Sequence, residues 1–240
     1  MPPENLGGPS SGAAIAVIPA RGGSQRILAK NIRSFNGLPM IVWPIRAAES
    51  SGAFSRIVVS TDDPEIASIA REAGAETPFE RPSELSGHSV GAAPVIRHAI
   101  ETLGLPLTSS VANIYPTSPL PAEILREGVL LQEANPHRFV IGVGRFRTPI
   151  ERALRFNDGL MSHHDLDAAL VRTQDLPGSY FDAGKFHIAT VDVWTSNETM
   201  MSRPFIPYFL PDFAAVDIDE PTDWEIAEAL HRVFVLGEST

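Results

Sequence analysis

The feature that most constrains the fold of this chain is a repeated alternation of short apolar runs with longer helical segments. Runs rich in Val, Ile and Ala end at Pro, Gly or polar residues, which is typical of buried parallel strands. We predict strands at 14–18, 56–60, 111–115, 139–143 and 215–219, and helices at 40–51, 64–74, 90–103, 122–134 and after 221. Strands that alternate with helices of about 10 to 15 residues indicate an α/β fold with a doubly wound, mainly parallel sheet.

Single residues predict several helix boundaries. Gly52 can end the first helix, because glycine readily adopts the left-handed conformation that is common just past a helix end. Asp63 suits the N-cap of the next helix, and Pro64 suits its first position. The residues at helical spacing that we expect to form the buried face of the last helix are Ile226, Leu230 and Val233.

The alternation breaks after about residue 145, where short segments lie between turns. We interpret 145–210 as a small β-rich lobe inserted into the α/β domain. The α/β domain then comprises 13–144 and 211–240. Residues 1–12 are rich in Pro, Gly and Ser and indicate a flexible tail.

Charge and composition exclude several classes of partner. The chain has 240 residues and a formal net charge of −10, with 19 Lys and Arg residues. Nucleic-acid binders usually carry a basic field, so we expect no nucleic-acid partner. No apolar run reaches about 18 residues, so we expect no membrane span. The absence of cysteine excludes disulfide and thiol chemistry, and the lack of an export signal predicts a cytoplasmic location.

The first predicted strand leads into a loop at 20–31 that combines two adjacent glycines with three cations, Arg21, Arg26 and Lys30. Glycines let the backbone approach a ligand and expose its N–H groups. In open α/β sheets, ligands bind at the carboxyl ends of the strands, where this loop is expected. The loop has neither the glycine pattern of a dinucleotide fold nor the Gly-Lys-Ser/Thr of a Walker A loop. It predicts an anion site of another kind, with a solvated turn as the alternative.

Two carboxylates, Asp217 and Asp219, lie two positions apart in the last predicted strand. Residues two apart on a strand face the same side, so we expect both to face a cleft while Ile218 points into the core. Carboxylate oxygens beside a triphosphate suit Mg²⁺, a hard ion that binds few carboxylates and retains waters. Solvated or helix-capping acids are the alternative, because a second such pair occurs at Asp165 and Asp167.

Other polar segments are candidate contacts for a sugar. The turn at 115–120 presents the hydroxyl groups of Tyr115 and Thr117, although a proline-bounded turn into a helix would also explain it. In the lobe, polar side chains at 172–177 and 182–186 are candidate contacts for a sugar acid.

In their order these segments resemble the CMP-sialic acid synthetases, also named acylneuraminate cytidylyltransferases. The motifs that carry the resemblance are ARGGSQRILAKN at 20–31, STDD at 60–63, RPSEL at 81–85, YPTSPL at 115–120 and DID at 217–219. The resemblance spans about residues 14–234, nearly the whole chain. TQDL at 173–176 with YFDAGKF at 180–186 looks most like the branch of the family that acts on pseudaminic acid.

The resemblance implies a Rossmann-like nucleotidyltransferase that joins CTP to a nine-carbon sugar acid with the help of Mg²⁺. The anomeric hydroxyl of the sugar acid would attack the α-phosphate of CTP. Pyrophosphate would leave, and a CMP-sugar would form. The resemblance also implies a homodimer formed through the inserted lobe.

The same resemblance implies roles for individual residues. The residues in nucleotide-binding positions are Ala20, Arg21, Gly23, Ser24, Arg26, Lys30, Asn31 and Arg81. The residues in catalytic positions are Arg21, Lys30 and Asp219, and those in metal positions are Asp217 and Asp219. The residues in sugar-binding positions are Tyr115, Thr117, Gln174, Asp182 and Lys185.

Three positions depart from the family pattern. Gln25 stands where the family usually has Lys, which removes one cation from the triphosphate loop. His88 stands where Asp is frequent, and Lys185 stands where Gln is usual. These departures leave two alternatives open. One is a non-catalytic homologue that binds a nucleotide or a sugar, and the other is a transferase that uses another sugar acid or nucleoside triphosphate.

Overall fold

The structure of the protein, a computed structural model, describes residues 13–24, 26–196 and 204–238. Its strands are β1 (Ala14–Pro19), β2 (Ser34–Phe35), β3 (Leu38–Pro39), β4 (Phe54–Ser60), β5 (Ser110–Ile114), β6 (Val140–Arg145), β7 (Leu154–Asn157), β8 (Leu160–His163), β9 (Tyr180–Thr190) and β10 (Ile206–Phe209). Its helices are α1 (Val42–Ser51), α2 (Pro64–Glu72), α3 (Ala92–Leu103), α4 (Ala122–Glu133), α5 (Leu166–Ala169), α6 (Val191–Ser196) and α7 (Pro221–Phe234). In the described ranges no helix is long and apolar enough to cross a membrane. The predicted tail at 1–12 and the departure at Gln25 lie outside the described residues.

The main sheet has six strands in the order β10–β6–β9–β5–β1–β4. β1 pairs in parallel with β4 and β5, and β10 pairs in parallel with β6. β9 runs antiparallel between β5 and β6. Every strand of this sheet except β9 therefore runs in one direction, which confirms the predicted α/β fold with a mainly parallel sheet.

Helices cover both faces of the sheet, and the side chains of β1 alternate between the two. Ala16 and Ile18 pack into a core with apolar residues of α1, α2 and α4. Ile15 and Val17 point to the opposite face, into a core that includes α3 and α6. A strand whose two faces are both covered must be apolar throughout, which is why β1 reads as a continuous apolar run. The sheet is doubly wound, as predicted.

The helix boundaries predicted from single residues are confirmed. Gly52 ends α1 in the left-handed conformation, with φ of 63°. The Asp63 carboxylate caps α2 by accepting hydrogen bonds from the N–H groups of Glu65 and Ile66 at 2.8 and 3.1 Å. Pro64 takes the first helical position, where its missing N–H is not needed.

The part of the chain that leaves the main sheet is shorter than the predicted lobe at 145–210. β9 and β10 fall within that range and pair in the main sheet. Between β6 and β9 the chain forms the β7–β8 hairpin and the short helix α5; residues 146–179 are termed the hairpin lobe below. The alternation of strand and helix stops here because an antiparallel strand needs no helical crossover to reach its neighbours.

The predicted strand at 215–219 is wrong, since this segment forms no strand with any described residue; it is termed the acidic segment below. Its side chains nevertheless alternate as expected, because Ile218 is fully buried and Asp217 is exposed. Burial of one apolar side chain, without backbone pairing in the sheet, sets the direction in which the carboxylates face.

Helix α7 buries a different face from the predicted one. Its buried residues are Trp224, Ala227 and His231. Ile226 and Val233 are exposed. The neighbour of α7 is the β2–β3 hairpin, where Phe35 packs edge-on against Trp224 with ring centroids 5.3 Å apart. The helical spacing of aliphatic residues predicted the wrong buried face, because packing against Phe35, which is remote in sequence, determines which side of α7 is covered.

Burial disfavours protonation of His231, and this makes the stability of the fold depend on pH. Its ring packs against Phe35 and Trp43 at 5.3 and 4.4 Å, and the Asn36 amide nitrogen lies 3.1 Å from Nδ1. Burial lowers the pKa of His231 to about 4. The unfolded chain, with a histidine pKa near ~6.5, therefore binds a proton that the folded chain does not, and stability falls as pH drops through this window.

We predict that replacing His231 by Leu removes this pH-dependent loss. When the pH falls from about 7 to 4.5, the unfolding free energy of wild type should decrease by about 2 kcal/mol more than that of His231→Leu. Chemical denaturation at both pH values measures the difference. His137→Leu, at an exposed histidine, is the control and should show no such change. Equal pH dependence in His231→Leu and wild type would contradict the assignment.

Candidate active site

A cleft of about 250 Å³ opens at the carboxyl ends of β1 and β5, where ligands of open α/β sheets bind. Its walls come from the loop after β1, the segment between Arg81 and the start of α3, the turn after β5 and the acidic segment. The lining residues are Pro19, Arg21, Ser24, Arg26, Ile27, Lys30, Asn31, Arg81, His88, Val90, Gly91, Ala92, Val95, Tyr115, Pro116, Thr117 and Asp219.

The structure brings many of the predicted site residues to this cleft and leaves others away from it. Those that line the cleft are Arg21, Ser24, Arg26, Lys30, Asn31, Arg81, Tyr115, Thr117 and Asp219. Those outside its lining are Ala20, Gly23, Gln174, Asp182, Lys185 and Asp217. Ala20 is buried beneath the loop, and Gln174 is exposed in the hairpin lobe.

The loop at 20–31 is held in shape by contacts with the end of β4 and with itself. The Ala20 N–H donates to the Ser60 carbonyl at 2.9 Å. The Asn31 side-chain amide donates to the Arg21 carbonyl, also at 2.9 Å, and so joins the two ends of the loop. Ala29 adopts φ of 49°, a region that residues with a side chain rarely use. These contacts leave the cationic side chains of the loop turned toward the cleft.

Within the glycine pair, the steric demand falls on Gly22. Its N–H donates to Asp62 Oδ1 at 3.2 Å. A Cβ at this position would lie 2.5 Å from a carboxylate oxygen of Asp63, the residue that caps α2. A Cβ at Gly23 would meet no atom within 4 Å. Only Gly22 is therefore required for the loop to approach the end of β4.

Two cations of the loop contact the acidic segment. Arg26 Nη2 lies 2.8 Å from Asp219 Oδ1, and Lys30 Nζ lies 3.6 Å from the same oxygen. Lys30 also donates to the Ile218 carbonyl. The Arg26 side chain is 60% exposed, so its ion pair is weak and can exchange for another anion. Burial lowers the pKa of Lys30, and the charge of Asp219 opposes this shift.

Arg81 is a buried cation in the opposite wall. Its guanidinium donates to the Ser60 carbonyl and, through Nε at 3.2 Å, to the Ser60 hydroxyl. Burial lowers the pKa of Arg81 to about 10, with Asp62 raising it and the nearby charge of Arg21 lowering it further. Arg81 therefore keeps its charge at neutral pH. Two guanidinium groups that repel each other in one cleft favour an anionic ligand between them.

The acidic segment presents two carboxylates beside these cations. The Asp223 carboxylate accepts from the N–H groups of Asp219 and Glu220 at 3.0 and 2.8 Å, which fixes the junction with α7. Partial desolvation of this exposed residue, and then the charge of Asp219, raise the pKa of Asp217. Both effects disfavour the ionised carboxylate, so a cation bound nearby would relieve them.

The turn after β5 supplies neutral hydroxyl groups. Burial, helped by the negative charge of Asp182, raises the pKa of Tyr115 to about 12, so its hydroxyl stays protonated. Asp182 Oδ2 lies 2.9 Å from His187 Nε2. Burial alone would raise the pKa of Asp182, but the hydrogen bond and charge of His187, together with the hydrogen bond from the Gly184 N–H, lower it. Tyr115 can therefore donate a hydrogen bond near a carboxylate.

Lys185, a predicted sugar contact, lies beneath the cleft and is 2% exposed. Its ammonium donates to the Val216 carbonyl at 2.6 Å and lies 3.4 Å from the Thr117 carbonyl. Burial lowers its pKa to about 8, which leaves it protonated at neutral pH. Lys185 contacts the backbone of two cleft walls and does not line the cleft itself, so it is not placed to touch a sugar.

Sequence reasoning missed one wall of the cleft. The sequence marks His88 only as a departure from the family pattern, and Ile27, Val90 and Val95 carry no polar signal, yet all four line the cleft. The available signal was Gly91, the N-cap of α3, which has no side-chain hydrogen bond to the helix. A helix start whose first N–H groups have no side-chain cap is a candidate ligand site.

The chain matches known proteins over nearly its whole length. Residues 15–235 match the family model described as Cytidylyltransferase. The chain is 34% identical over 223 residues to pseudaminic acid cytidylyltransferase of Campylobacter jejuni, covering 91% of this chain and 96% of that protein. It is 31% identical over 229 residues to CMP-N,N'-diacetyllegionaminic acid synthase of Legionella pneumophila, covering 90% and 95%.

A solved structure shares the fold at low sequence identity. CMP:2-keto-3-deoxy-manno-octonic acid synthetase complexed with CTP superimposes with a TM-score of 0.66 and 16% identity, covering 90% of this chain and 97% of that one. The family match includes both the loop at 20–31 and the acidic segment, the two parts of the chain that meet at Asp219. The chain therefore belongs to the cytidylyltransferase family.

Proposed function

We propose that the protein transfers the CMP group of CTP to pseudaminic acid and releases pyrophosphate. The observation that carries this proposal is one cleft in which cations of the loop at 20–31 and Arg81 meet Asp219 and Tyr115. The relative named for pseudaminic acid is 34% identical over 96% of its length, which favours that sugar acid as the acceptor. The use of CTP favours the cytoplasm as the place of action.

The cationic end of the cleft suits the triphosphate. Arg21, Arg26, Lys30 and Arg81 supply four positive charges around it. Transfer to a phosphate depends mainly on positioning and on neutralising the charge of the phosphate oxygens, and these side chains do both. Arg26, whose exposed ion pair with Asp219 is weak, can turn toward phosphate oxygens when a nucleotide is bound.

The remaining surfaces suit the base and the acceptor. Ile27, Val90 and Val95 form an apolar part of the wall, which suits the face of a planar base. Tyr115 and Thr117 offer hydroxyl groups for the sugar acid on the turn after β5.

In the proposed reaction, the anomeric oxygen of the sugar acid forms a bond to the α-phosphorus of CTP. The bond from that phosphorus to the bridging oxygen breaks, pyrophosphate leaves, and the hydroxyl proton passes to solvent.

We propose Mg²⁺ as the cofactor, held by Asp217 and Asp219. The donor set fits, because carboxylate oxygens are hard ligands and a bound cation would oppose the raised pKa of Asp217, which is caused by burial and then by the charge of Asp219. Across the described ranges, no group of three or more His, Asp or Glu could hold a metal unaided. Mg²⁺ commonly completes its shell with phosphate oxygens and water. Bound here, it would neutralise charge on the triphosphate and on the departing pyrophosphate.

We predict that the purified protein releases pyrophosphate from CTP with pseudaminic acid at least about tenfold faster than with other sugar acids, since acceptor contacts are made in the transition state. A coupled pyrophosphate assay with Mg²⁺ measures this, with N-acetylneuraminate, legionaminic acid and 3-deoxy-manno-octulosonate as comparators. Replacing CTP by GTP should abolish release.

A faster reaction with another acid or triphosphate would reassign the substrate. Calorimetric binding of CTP without turnover on any acid would instead support a non-catalytic protein. In that case the Gln25→Lys variant would test whether the cation missing from the loop is the cause.

We predict that Asp219→Asn lowers kcat by about a thousandfold or more, because a neutral amide is a weak ligand for Mg²⁺ and no longer attracts Lys30. Circular dichroism should show an unchanged fold. Asp192→Asn, at an exposed acid of α6, is the matched control and should keep full activity. Retention of turnover by Asp219→Asn would rule out its proposed role as a metal ligand.

We also propose that the protein is a homodimer that associates through the hairpin lobe. The exposed apolar residues of this lobe are Phe146, Ile150, Leu154, Phe156, Leu160, Met161, Leu166, Leu170 and Val171. Soluble monomers rarely expose so many apolar side chains in one small region, so a protein partner is expected to cover them. A second copy of the chain offers the same surface and can bury both at once.

We predict a mass in solution of twice the 25.9 kDa of one chain. The double variant Leu160→Asp/Leu170→Asp, at side chains that are 76% and 80% exposed, should be monomeric because charges would be buried at the interface. Leu107→Asp, at a 61% exposed leucine outside the lobe, is the control and should remain dimeric. Light scattering after gel filtration reads the mass, and a dimeric double variant would exclude this surface.

A further inference from the structure

Lys185 is unusual because its whole side chain is buried, outside the lining of the cleft but in contact with two of its walls. It lies on β9, the antiparallel strand between β5 and β6, and it is 2% exposed. Lysine is almost never fully buried unless its charge is partnered, since an unpaired ammonium away from water is strongly destabilising. The groups that partner the Lys185 ammonium therefore indicate its role.

Lys185 joins two walls of the cleft. Its ammonium donates to the Val216 carbonyl at 2.6 Å in the acidic segment and lies 3.4 Å from the Thr117 carbonyl in the turn after β5. Its own carbonyl accepts from the Tyr115 N–H and the Ser118 hydroxyl, both at 3.0 Å. The proposed nucleotide-binding and sugar-binding sides are thus tied to one residue of the sheet.

Lys185 also brings positive charge beneath the acidic pair. Burial lowers the pKa of Lys185, whereas the charges of Asp217 and Asp219 raise it and that of Lys30 lowers it. The two parts of the chain are in close approach, because a Cβ at the adjacent Gly184 would lie 3.5 Å from Asp217 Oδ1. Lys30, in the loop after β1, donates to the carbonyl of Ile218, two residues beyond Val216. The acidic segment is therefore held between two lysines from different elements.

We propose that Lys185 is a positioning residue and a permanent counter-ion of the acidic segment. It holds Asp217 and Asp219 in place before metal and nucleotide bind, and its charge lowers the affinity of the pair for a divalent cation. The assignment rests on the proposed function in taking this pair as the metal ligands. Lys185 itself touches neither CTP nor the sugar acid.

Two substitutions separate the charge of Lys185 from its hydrogen bonds. Lys185→Gln removes the charge and keeps an N–H donor for the Val216 carbonyl. Lys185→Met removes both and keeps an unbranched chain of similar volume. Val129→Ala, in the buried face of α4, is the control for lost stability without a change at the cleft.

The first measurement is Mn²⁺ binding, followed by the electron paramagnetic resonance of the free ion, in the presence of α,β-methylene-CTP. Because a like charge near the metal is removed, Lys185→Gln should bind Mn²⁺ about fivefold more tightly than wild type. Val129→Ala should bind as wild type does. Equal affinity in Lys185→Gln and wild type would overturn the counter-ion role, whereas no Mn²⁺ binding by wild type would refute the proposed metal site and, with it, that role.

The second measurement is hydrogen exchange of the nucleotide-free protein, which depends on neither metal nor sugar. Amides at 216–220 should exchange at least about tenfold faster in Lys185→Met than in Lys185→Gln, because only the Gln variant retains a donor for the Val216 carbonyl. Val129→Ala should leave this segment as protected, relative to the rest of the chain, as in wild type. Equal exchange in the Met and Gln variants would overturn the positioning role.

Discussion

Two lysine ammonium groups hold the backbone of the acidic segment, and the cleft depends on these contacts. Lys30 donates to the Ile218 carbonyl and Lys185 to the Val216 carbonyl. Buried carbonyl groups must find donors, and a segment outside the sheet must find them among side chains. The donors used here are charged and lie next to Asp217 and Asp219. The shape of the segment and the electrostatics of its carboxylates are therefore set by the same atoms.

Much of the fold could be predicted because its signals are local. β1 is apolar on both faces, and Asp63 with Pro64 forms a complete helix start within two residues. The cationic loop at 20–31 was recognisable for the same reason, since its glycines and charges are contiguous. The burial of Ile218 in the acidic segment was also predictable, because residues alternate there without help from a strand ladder, although only Asp219 of the two carboxylates lines the cleft.

The rest could not be predicted, because it arises from contacts between residues far apart in the chain. The motif around Lys185 predicts a sugar contact and gives no sign of its burial, which follows from the entry of β9 between β5 and β6. The buried face of α7 is chosen by Phe35, which is remote in sequence. The apolar wall at Val90 and Val95 looks like an ordinary helix core until the cleft is formed.

The antiparallel insertion of β9 also has a consequence for the order of folding. The three strands β4–β1–β5 and the two strands β6–β10 do not touch each other in the sheet, and β9 is the strand that joins them. On the ribosome, β1, β4 and β5 can assemble early, but β6 has no neighbour in the sheet until residues 180–190 have emerged. Its apolar edge stays open for the several seconds that about 40 residues take to synthesise. Chaperone binding during synthesis is expected to concentrate on this interval.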